Sequence, residues 1–259
     1  LWAGNLIPGH QSAGKRLPNI SPIHNKRIGD IEAGTAADID AAVKAARSSF
    51  QSGEWSRLSP GERKAVVLRW VQLMEEHAEE LAALDCVDAG KPITECLNTD
   101  MPATIDTFRW YAEAVDKVFG KISPTGPGAL GLIVSEPIGV VGAVLPWNFP
   151  AQMYAWKVAP ALAAGNSVIV KPAELTSLSA YRMTQLAHQA GVPAGALILV
   201  TGTGEDTGEP LGRHMDVDMV SFTGSNAAGI AVAKAAADTV KRVSQELGGK
   251  SANIILFDA

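Results

Sequence analysis

Asn148 is a residue whose type and position in this sequence suggest chemistry. It follows an apolar run, 139–145, and precedes a helical pattern that begins at Pro150. A neutral amide at such a turn can donate a hydrogen bond to an alkoxide that develops during a reaction. Because Asn is also a common cap of helices, the residue type alone leaves both roles open.

Lys171 and Glu174 follow a second apolar run, 167–170. An acidic residue near the end of the second strand binds the ribose hydroxyls in dinucleotide sites generally. Glu174, together with Lys171, is therefore a candidate for binding the adenosine ribose. A carboxylate would repel a 2′-phosphate, which favours NAD, but Lys171 could offset that repulsion and leaves NADP open. A solvated ion pair at a strand end is the plain alternative.

Glu246 precedes Leu247 and the glycine pair 248–249. Paired glycines carry no side chains, so a ligand can approach the backbone closely beside this carboxylate. A carboxylate in such a place can act as a general base. The plain alternative is an exposed carboxylate close in sequence to several basic residues.

Two glycine-containing stretches differ from the common phosphate-binding loops. The stretch 202–208 misses the G-x-G-x-x-G spacing by one residue, and 224–229 lacks the Lys-Ser/Thr pair of a P-loop. ATP hydrolysis is therefore not expected. Gly224 and Ser225 instead end a predicted strand and begin a helix, where backbone N–H groups can bind a pyrophosphate.

No tyrosine has a lysine four residues later, which excludes a dehydrogenase of the short-chain type.

The elements that position these residues alternate regularly from residue 139 onward. Continuous apolar runs between helical patterns are typical of buried parallel strands in an α/β protein. The sequence predicts a doubly wound, mostly parallel, Rossmann-like sheet, whose ligands bind at the carboxyl ends of the strands. The predicted strands cover 139–145, 167–171, 197–201, 219–223 and 252–257, and the predicted helices cover 151–164, 176–190, 205–213 and 226–237.

The first half of the chain has a different pattern. Residues 1–34 are typical of short strands and turns, and the helices that follow have capping pairs at Thr35 with Asp38 and at Ser59 with Glu62. We expect helices over 36–50, from 60 to 88 with a break near residue 77, and over 94–119. Their aromatic residues Phe108, Trp110 and Tyr111 are expected in the core.

The domain organisation follows from these patterns. We expect residues 1–120 to form a mostly helical N-terminal region and residues 139–257 to form the α/β region. The Gly- and Pro-rich segment 121–138 is predicted to form a β arm. An apolar strand edge of this kind needs cover, so we expect a homo-oligomer.

Composition excludes several classes of partner. The 259 residues carry 22 basic and 27 acidic side chains, a net charge of −5, without a basic block, so nucleic acid is not expected as a partner.

The uncharged stretch 137–156 is long enough to cross a membrane, but its prolines and polar residues argue for strand, turn and helix. Cys86 and Cys96 form neither a CxxC motif nor a metal-ligand pattern. No secretory leader is visible, and we expect a cytoplasmic protein without a metal.

Four stretches together carry a resemblance to a known family. Pro146-Trp-Asn-Phe-Pro150, 171–174, 222–225 and 246–250 resemble, in this order, signature stretches of the NAD(P)-dependent aldehyde dehydrogenase superfamily. The similarity extends from about residue 28 to the C-terminus. It implies the cofactor-binding half of such an enzyme, in which residues 1–120 and 139–257 form one NAD-binding domain. It also implies Asn148 as the oxyanion donor and Glu246 as the base that activates water.

The resemblance also implies residues for cofactor and substrate. The stripe Phe149, Met153 and Trp156, with Gln152 beside it, would line the aldehyde tunnel, although core packing is the plain explanation. The residues expected to contact NAD are Pro146, Trp147, Lys171, Glu174, Gly204, Gly224, Ser225, Gly229 and Leu247.

The substrate and the nucleophile are the remaining expectations. The segments 109–117 and 250–254 look most like the subgroup that oxidises ω-amino or γ-glutamylamino aldehydes from polyamine breakdown. In the family, a cysteine downstream of the Glu-Leu-Gly-Gly stretch forms the thiohemiacetal and thioester. Neither Cys86 nor Cys96 matches it, and the catalytic domain would lie beyond residue 259. The alternative is a catalytically inactive, truncated nucleotide-binding or assembly module.

Overall fold

A small sheet begins the chain in this computed structural model, which describes residues 1–12 and 14–257. Strand β3 (Lys26–Ala33) is its centre. It pairs in parallel with β1 (Trp2–Ala3) and antiparallel with β2 (Lys15–Ser21). Leu6 then forms a bridge to Leu199, which attaches this region to the edge of the main sheet.

The first two helices begin where the sequence predicts, whereas the helix predicted over 94–119 is divided and ends by residue 117. The helices of the first half are α1 (Ala36–Ser52), α2 (Pro60–Glu76), α3 (Ala78–Ala89), the short α4 (Ile93–Glu95) and α5 (Met101–Ala114). The capping boxes of α1 and α2 form as expected, because the cap hydroxyl and the carboxylate three residues later each accept a backbone N–H. His77 separates α2 from α3. A π-helical turn, Cys96–Asp100, joins α4 to α5.

The main sheet is parallel throughout, as predicted. Its order is β10-β9-β6-β7-β8, with β6 in the middle. The strands are β6 (Val140–Val144), β7 (Ser167–Lys171), β8 (Leu197–Leu199), β9 (Met219–Thr223) and β10 (Arg242–Glu246). The connecting helices are α6 (Pro150–Ala163), α7 (Leu178–Ala190), α8 (Glu209–Arg213) and α9 (Asn226–Ala237).

One strand prediction is wrong. The segment 252–257 contains no strand, and its apolar side chains, such as Ile254 and Phe257, are exposed. The fifth strand is β10 instead, which pairs with β9 along its length. Its sequence, Arg-Val-Ser-Gln-Glu, lacks an apolar run because this edge strand is half exposed. A search for continuous apolar residues therefore misses it.

Two core layers cover the two faces of the sheet. Alternate residues of β7 belong to different layers. Val168 and Val170 pack on one face of the sheet with α2, α5, α6 and α7. Ile169 packs on the opposite face with α1. Trp70 and Phe108 lie in the first layer with ring centroids 4.3 Å apart. The centre of the sheet is therefore buried on both sides, which is why β6 and β8 are apolar at every position and β7 has an apolar run at 168–170.

An antiparallel hairpin, β4 (Lys121–Ser123) and β5 (Gly131–Ile133), lies where the sequence predicts an arm. Its apolar side chains, including Ile122 and Leu132, are exposed. Within residues 1–12 and 14–257, no helix has the length and hydrophobicity that a bilayer span requires.

Candidate functional site

A cleft of about 610 Å³ opens at the carboxyl edge of the main sheet. The ends of β6 and β9 form its floor through Val144 and Phe222, and α9 forms one wall. Glu174 and the turn around Gly204 form the opposite side. The cleft lies where parallel α/β sheets bind their ligands, and its size suits part of a dinucleotide.

Lys171 and Glu174 form an ion pair beside this cleft. The Nζ atom of Lys171 lies 3.2 Å from Oε2 of Glu174. Burial lowers the pKa of Lys171, while the neighbouring carboxylate of Glu174 acts in the opposite direction. Glu174 is partly exposed and lines the cleft. The pair thus provides both a donor and an acceptor for hydroxyl groups.

The turn between β9 and α9 is fixed from two sides. The Ser225 hydroxyl accepts the Ala228 N–H at 3.2 Å, and the Gly224 N–H donates to the Glu246 carbonyl at 3.1 Å. The first N–H groups of α9 are thereby held at the end of the sheet, where backbone amides can bind an anion.

Leu247 and Gly229 are in contact at the same end. A Cβ atom at position 229 would overlap Cδ2 of Leu247, and Gln245 donates a hydrogen bond to the Gly229 carbonyl at 2.6 Å. The absence of a side chain at position 229 therefore lets Leu247 pack directly on the start of α9. At Gly204, in contrast, an added Cβ would meet open space. That glycine leaves room in the cleft.

The segment Pro146, Trp147, Asn148 and Phe149 connects β6 to α6. Trp147, Asn148 and Phe149 are all exposed, and the Asn148 side chain has no hydrogen-bond partner among the described residues. Its amide is therefore available to a ligand. Lys91 lies over the Phe149 ring, with Nζ 3.9 Å from the ring centroid.

Glu246 ends β10, and its side chain is exposed. The burial that a general base requires is thus not supplied by the described residues. Lys157, on the buried face of α6, lies near this carboxylate and donates to the Ser221 hydroxyl at 3.2 Å. Burial lowers the pKa of Lys157 to about 8, while Glu246 acts in the opposite direction. No motif in the sequence indicates Lys157, although its position as the one charged residue in an apolar helix is a signal that could have found it.

A second pocket, of about 430 Å³, lies between α5 and α6. Trp110 and Trp156 are 64% and 50% exposed and contribute aromatic walls, and Asp106 contributes a carboxylate. The expectation that Trp110 lies in the core is therefore wrong, because its ring faces this pocket. Phe108 is buried as expected, and Tyr111 packs against the core from the pocket wall. Of the predicted tunnel stripe, Trp156 lines this pocket, Met153 is buried and Phe149 lies near Lys91.

The two cysteines are free thiols. Burial raises the pKa of Cys96 to about 11, and the charges of Asp85 and Asp100 act in the same direction. Since the thiolate is the reactive form, Cys96 is unsuited to be a nucleophile at neutral pH. Among the described residues, no three His, Cys, Asp or Glu side chains are grouped closely enough to bind a metal ion.

Comparison with known proteins identifies relatives of the whole chain. The "Aldehyde dehydrogenase family" model matches residues 10–259. An aminoacetaldehyde dehydrogenase of Pseudomonas aeruginosa is 51% identical over 246 residues, which are 95% of this chain and 50% of that protein.

Solved structures show the same fold. A γ-glutamyl-γ-aminobutyraldehyde dehydrogenase of Burkholderia cenocepacia has a TM-score of 0.92 and 45% identity over 95% of this chain and 51% of its own. An indole-3-acetaldehyde dehydrogenase mutant of P. syringae, solved with NAD+ and IAA, has a TM-score of 0.92 and 43% identity over 95% of this chain and 50% of its own. The chain thus spans about half of the length of the proteins that it matches.

Proposed function

Since the chain belongs to the aldehyde dehydrogenase family, we propose that it is the cofactor-binding part of an NAD-dependent enzyme that oxidises an aldehyde to its acid. The observation that carries this proposal is the cleft at the carboxyl edge of the sheet. Glu174 and Gly204 line it, and the turn at Gly224 and Ser225 lies at the same edge.

The residues around the cleft suit each part of the cofactor. Glu174 and Lys171 would bind the adenosine ribose, and the N–H groups at the start of α9 would bind the pyrophosphate. Pro146, Trp147, Gly229 and Leu247 would contact the dinucleotide along its length. The carboxylate of Glu174 favours NAD because it repels a 2′-phosphate, and NADP is the second candidate because Lys171 neutralises part of that charge.

The chain also supplies two groups for the reaction. NAD, when bound, accepts the hydride from the substrate carbon. The exposed amide of Asn148 would donate to the substrate oxygen as negative charge develops there. Glu246 would take a proton from the water that releases the acid. Neither Cys86 nor Cys96 matches the family's cysteine, and burial makes Cys96 unsuited as a nucleophile. We therefore propose that the nucleophile lies in chain beyond residue 259 and that the complete reaction belongs to the longer protein.

The substrate class that the second pocket fits best is an aldehyde with an amino group. Trp110 and Trp156 offer ring faces to a cation, and Asp106 offers a carboxylate. Arg109 contacts both Asp106 and Glu75. The guanidinium of Arg109 pairs with Oδ1 of Asp106, so Oδ2 is the oxygen that would accept a substrate ammonium group. The relative from P. aeruginosa carries the name of an aminoaldehyde enzyme, in agreement with this substrate class.

The exposed β4–β5 arm indicates the partner of this chain, and its cysteines indicate the compartment. The apolar side chains of the β4–β5 arm are exposed, and we infer that they pack against a second copy in a dimer or tetramer. The two unpaired cysteines suit a reducing compartment such as the cytoplasm.

The test is aldehyde-dependent reduction of NAD by the full-length protein. We expect kcat/KM for aminoacetaldehyde and 4-aminobutyraldehyde to exceed that for plain aliphatic aldehydes of similar length by at least about tenfold, a difference of about 1.4 kcal/mol in transition-state binding. An equal or higher value for the aliphatic aldehydes would contradict the substrate assignment. NADP in place of NAD tests the cofactor preference.

A non-catalytic nucleotide-binding module is the second candidate. It is favoured by one observation: the cleft forms entirely within the described residues. An intact mass near 27.1 kDa for the protein isolated from its source, with NAD binding and without NADH formation, would support the module. A mass near double that value would support the enzyme.

A further inference from the structure

Helices α6 and α7 begin without a side-chain cap of their own. Phe149 precedes α6 and Ser177 precedes α7, but neither side chain accepts a hydrogen bond from the first turn of its helix. The first N–H groups of a helix have no acceptor within the helix. Here the acceptors come from a different helix, α3.

Asp85 and Asp88 lie one turn apart on α3 and provide these acceptors. The Oδ2 atom of Asp85 accepts the Ala151 N–H at 3.3 Å, and Oδ2 of Asp88 accepts the Leu178 N–H at 2.9 Å. Both carboxyl groups are buried. A negative charge near a helix N-terminus is stabilised by the helix dipole. Each carboxyl group therefore anchors the first turn of one helix.

The two anchors differ in their remaining contacts. Oδ1 of Asp88 accepts a second hydrogen bond from Nδ2 of Asn19 at 2.6 Å. Oδ1 of Asp85 is buried and has no hydrogen-bond partner among the described residues. An unsatisfied buried oxygen destabilises a protein, so packing alone does not explain a carboxylate at position 85.

The turn that Asp85 anchors continues directly into the segment that carries Asn148. Ala151 is three residues after Asn148, and Pro150 between them is buried as the first residue of α6. We propose that Asp85 is a positioning residue, whose carboxylate fixes the first turn of α6 and thereby the orientation of Asn148, and that protonation of this carboxyl group loosens the turn. The proposal rests on the function proposed for Asn148.

The carboxyl group of Asp85 changes its charge within the physiological pH range. Burial raises the pKa of Asp85 to about 7, and the charges of Asp88 and Asp100 contribute in the same direction. The hydrogen bond from the Ala151 N–H and the nearby Ser179 hydroxyl act against these effects. The charged fraction of Asp85 therefore decreases as the pH falls through about 7, and kcat should decrease with it.

Other titratable groups surround Asp85. Asp88 lies on the same helix, and burial raises its pKa to about 6. Cys96 and Asp100 face Asp85 from the π-helical turn, and Lys91 pairs with Asp100. Because Lys91 also covers the Phe149 ring, a change in Asp100 could reach the same segment. The variants must therefore separate Asp85 from its neighbours.

The experiment compares Asp85→Asn with Asp88→Asn in the full-length protein, each alone and combined with Asn148→Ala. Both Asn substitutions keep the shape and remove the charge, but Asp88 anchors α7, which does not carry Asn148. The steady-state parameters are measured from pH 5.5 to 9 with NAD and 4-aminobutyraldehyde.

We expect D85N to lower kcat about 10-fold or more at pH 8, with less than a twofold change in KM for NAD. The decrease of kcat below about pH 7 should disappear in D85N and remain in D88N. In the Asn148→Ala background, D85N should cause no further decrease, because the two residues act on one interaction. Wild-type kcat in D85N, an equal decrease in D88N, or a full further decrease in the double variant would overturn the proposal.

A second readout does not depend on catalysis. Hydrogen–deuterium exchange of peptides covering 146–155 reports the first turn of α6 directly. We expect exchange at least about tenfold faster in D85N than in wild type, and unchanged exchange in D88N. Because Asn keeps an oxygen that can accept the Ala151 N–H, unchanged exchange in D85N would overturn the claim that the charge of Asp85 holds this turn. If the wild-type protein oxidises no aldehyde, the proposed function is wrong, and so is the role proposed for Asn148. The exchange data still decide whether the charge of Asp85 holds the first turn of α6.

Discussion

The ammonium group of Lys171 lies 3.2 Å from the carboxylate of Glu174, at the carboxyl end of β7. Lys171 is buried, and the partly exposed Glu174 lines the cleft. The Oε1 atom of Glu174 has no hydrogen-bond partner among the described residues. This geometry leaves one carboxylate oxygen free to accept a ribose hydroxyl.

The substitution Glu174→Gln tests this arrangement. We expect the Kd for NAD to increase about tenfold, because a charge-assisted hydrogen bond is worth about 1.5–3 kcal/mol, while affinity for NADP changes little or improves. Glu209→Gln is the matched control, since Glu209 lines the same cleft but pairs with Arg213. Equal effects of the two substitutions would show that the overall charge of the cleft matters and that Glu174 has no specific role.

Asp106→Asn tests the substrate pocket. We expect KM for an aminoaldehyde to increase several-fold, because the substrate ammonium group loses a carboxylate partner, and KM for an aliphatic aldehyde of the same length to stay unchanged. The aliphatic aldehyde is the control, because the kinetics of both substrates are measured with the same variant. A similar increase for both substrates would mean that Asp106 supports the fold of α5 and does not bind the amine.

Asp85→Asn gives a prediction for stability with a defined sign. The pKa of Asp85 is about 7 in the folded protein and near 3.8 in the unfolded chain, so the folded state binds more protons between these values. Stability from this group is therefore present below about pH 4 and is lost as the pH rises through about 7. Relative to wild type, D85N should gain a few kcal/mol in unfolding free energy between pH 4 and pH 8.

Urea denaturation of both proteins across that pH range measures this difference. Carboxyl groups that do not interact with Asp85 affect both proteins alike and cancel in the comparison. A constant difference between pH 4 and pH 8 would mean that Asp85 titrates normally. A variant that is more stable at pH 8 but less active would show that the carboxylate is kept for function at a cost in stability.

Local patterns in the sequence predict the parts of this fold that depend on neighbouring residues. Thr35 with Asp38 and Ser59 with Glu62 form capping boxes as expected, and the four apolar strands lie close to their predicted positions. Strand β10 was missed because an edge strand needs apolar residues on only one face. The segment 252–257 was assigned wrongly because apolar composition does not show whether a strand has a partner.

The residues of the candidate site divide in the same way, into those that local sequence motifs predict and those that depend on distant parts of the chain. Asn148, Lys171, Glu174 and Ser225 lie at the ends of elements, where sequence motifs indicate them. Asp85 could not be predicted in the same way, because its partner, the Ala151 amide, is 66 residues away along the chain. Trp110 was expected in the core because aromatic residues on a helix usually pack inward. Only the packing of α5 against α6 shows that its ring faces a pocket.

The most direct test of the central claim is aldehyde-dependent NADH formation by the full-length protein and by its Asn148→Ala variant. We predict that the wild-type protein forms NADH, and that the variant loses about 10²–10³-fold in kcat with an unchanged Kd for NAD, as expected for loss of an oxyanion donor. Absence of NADH formation with every aldehyde tested, or wild-type kcat in the variant, would contradict the account.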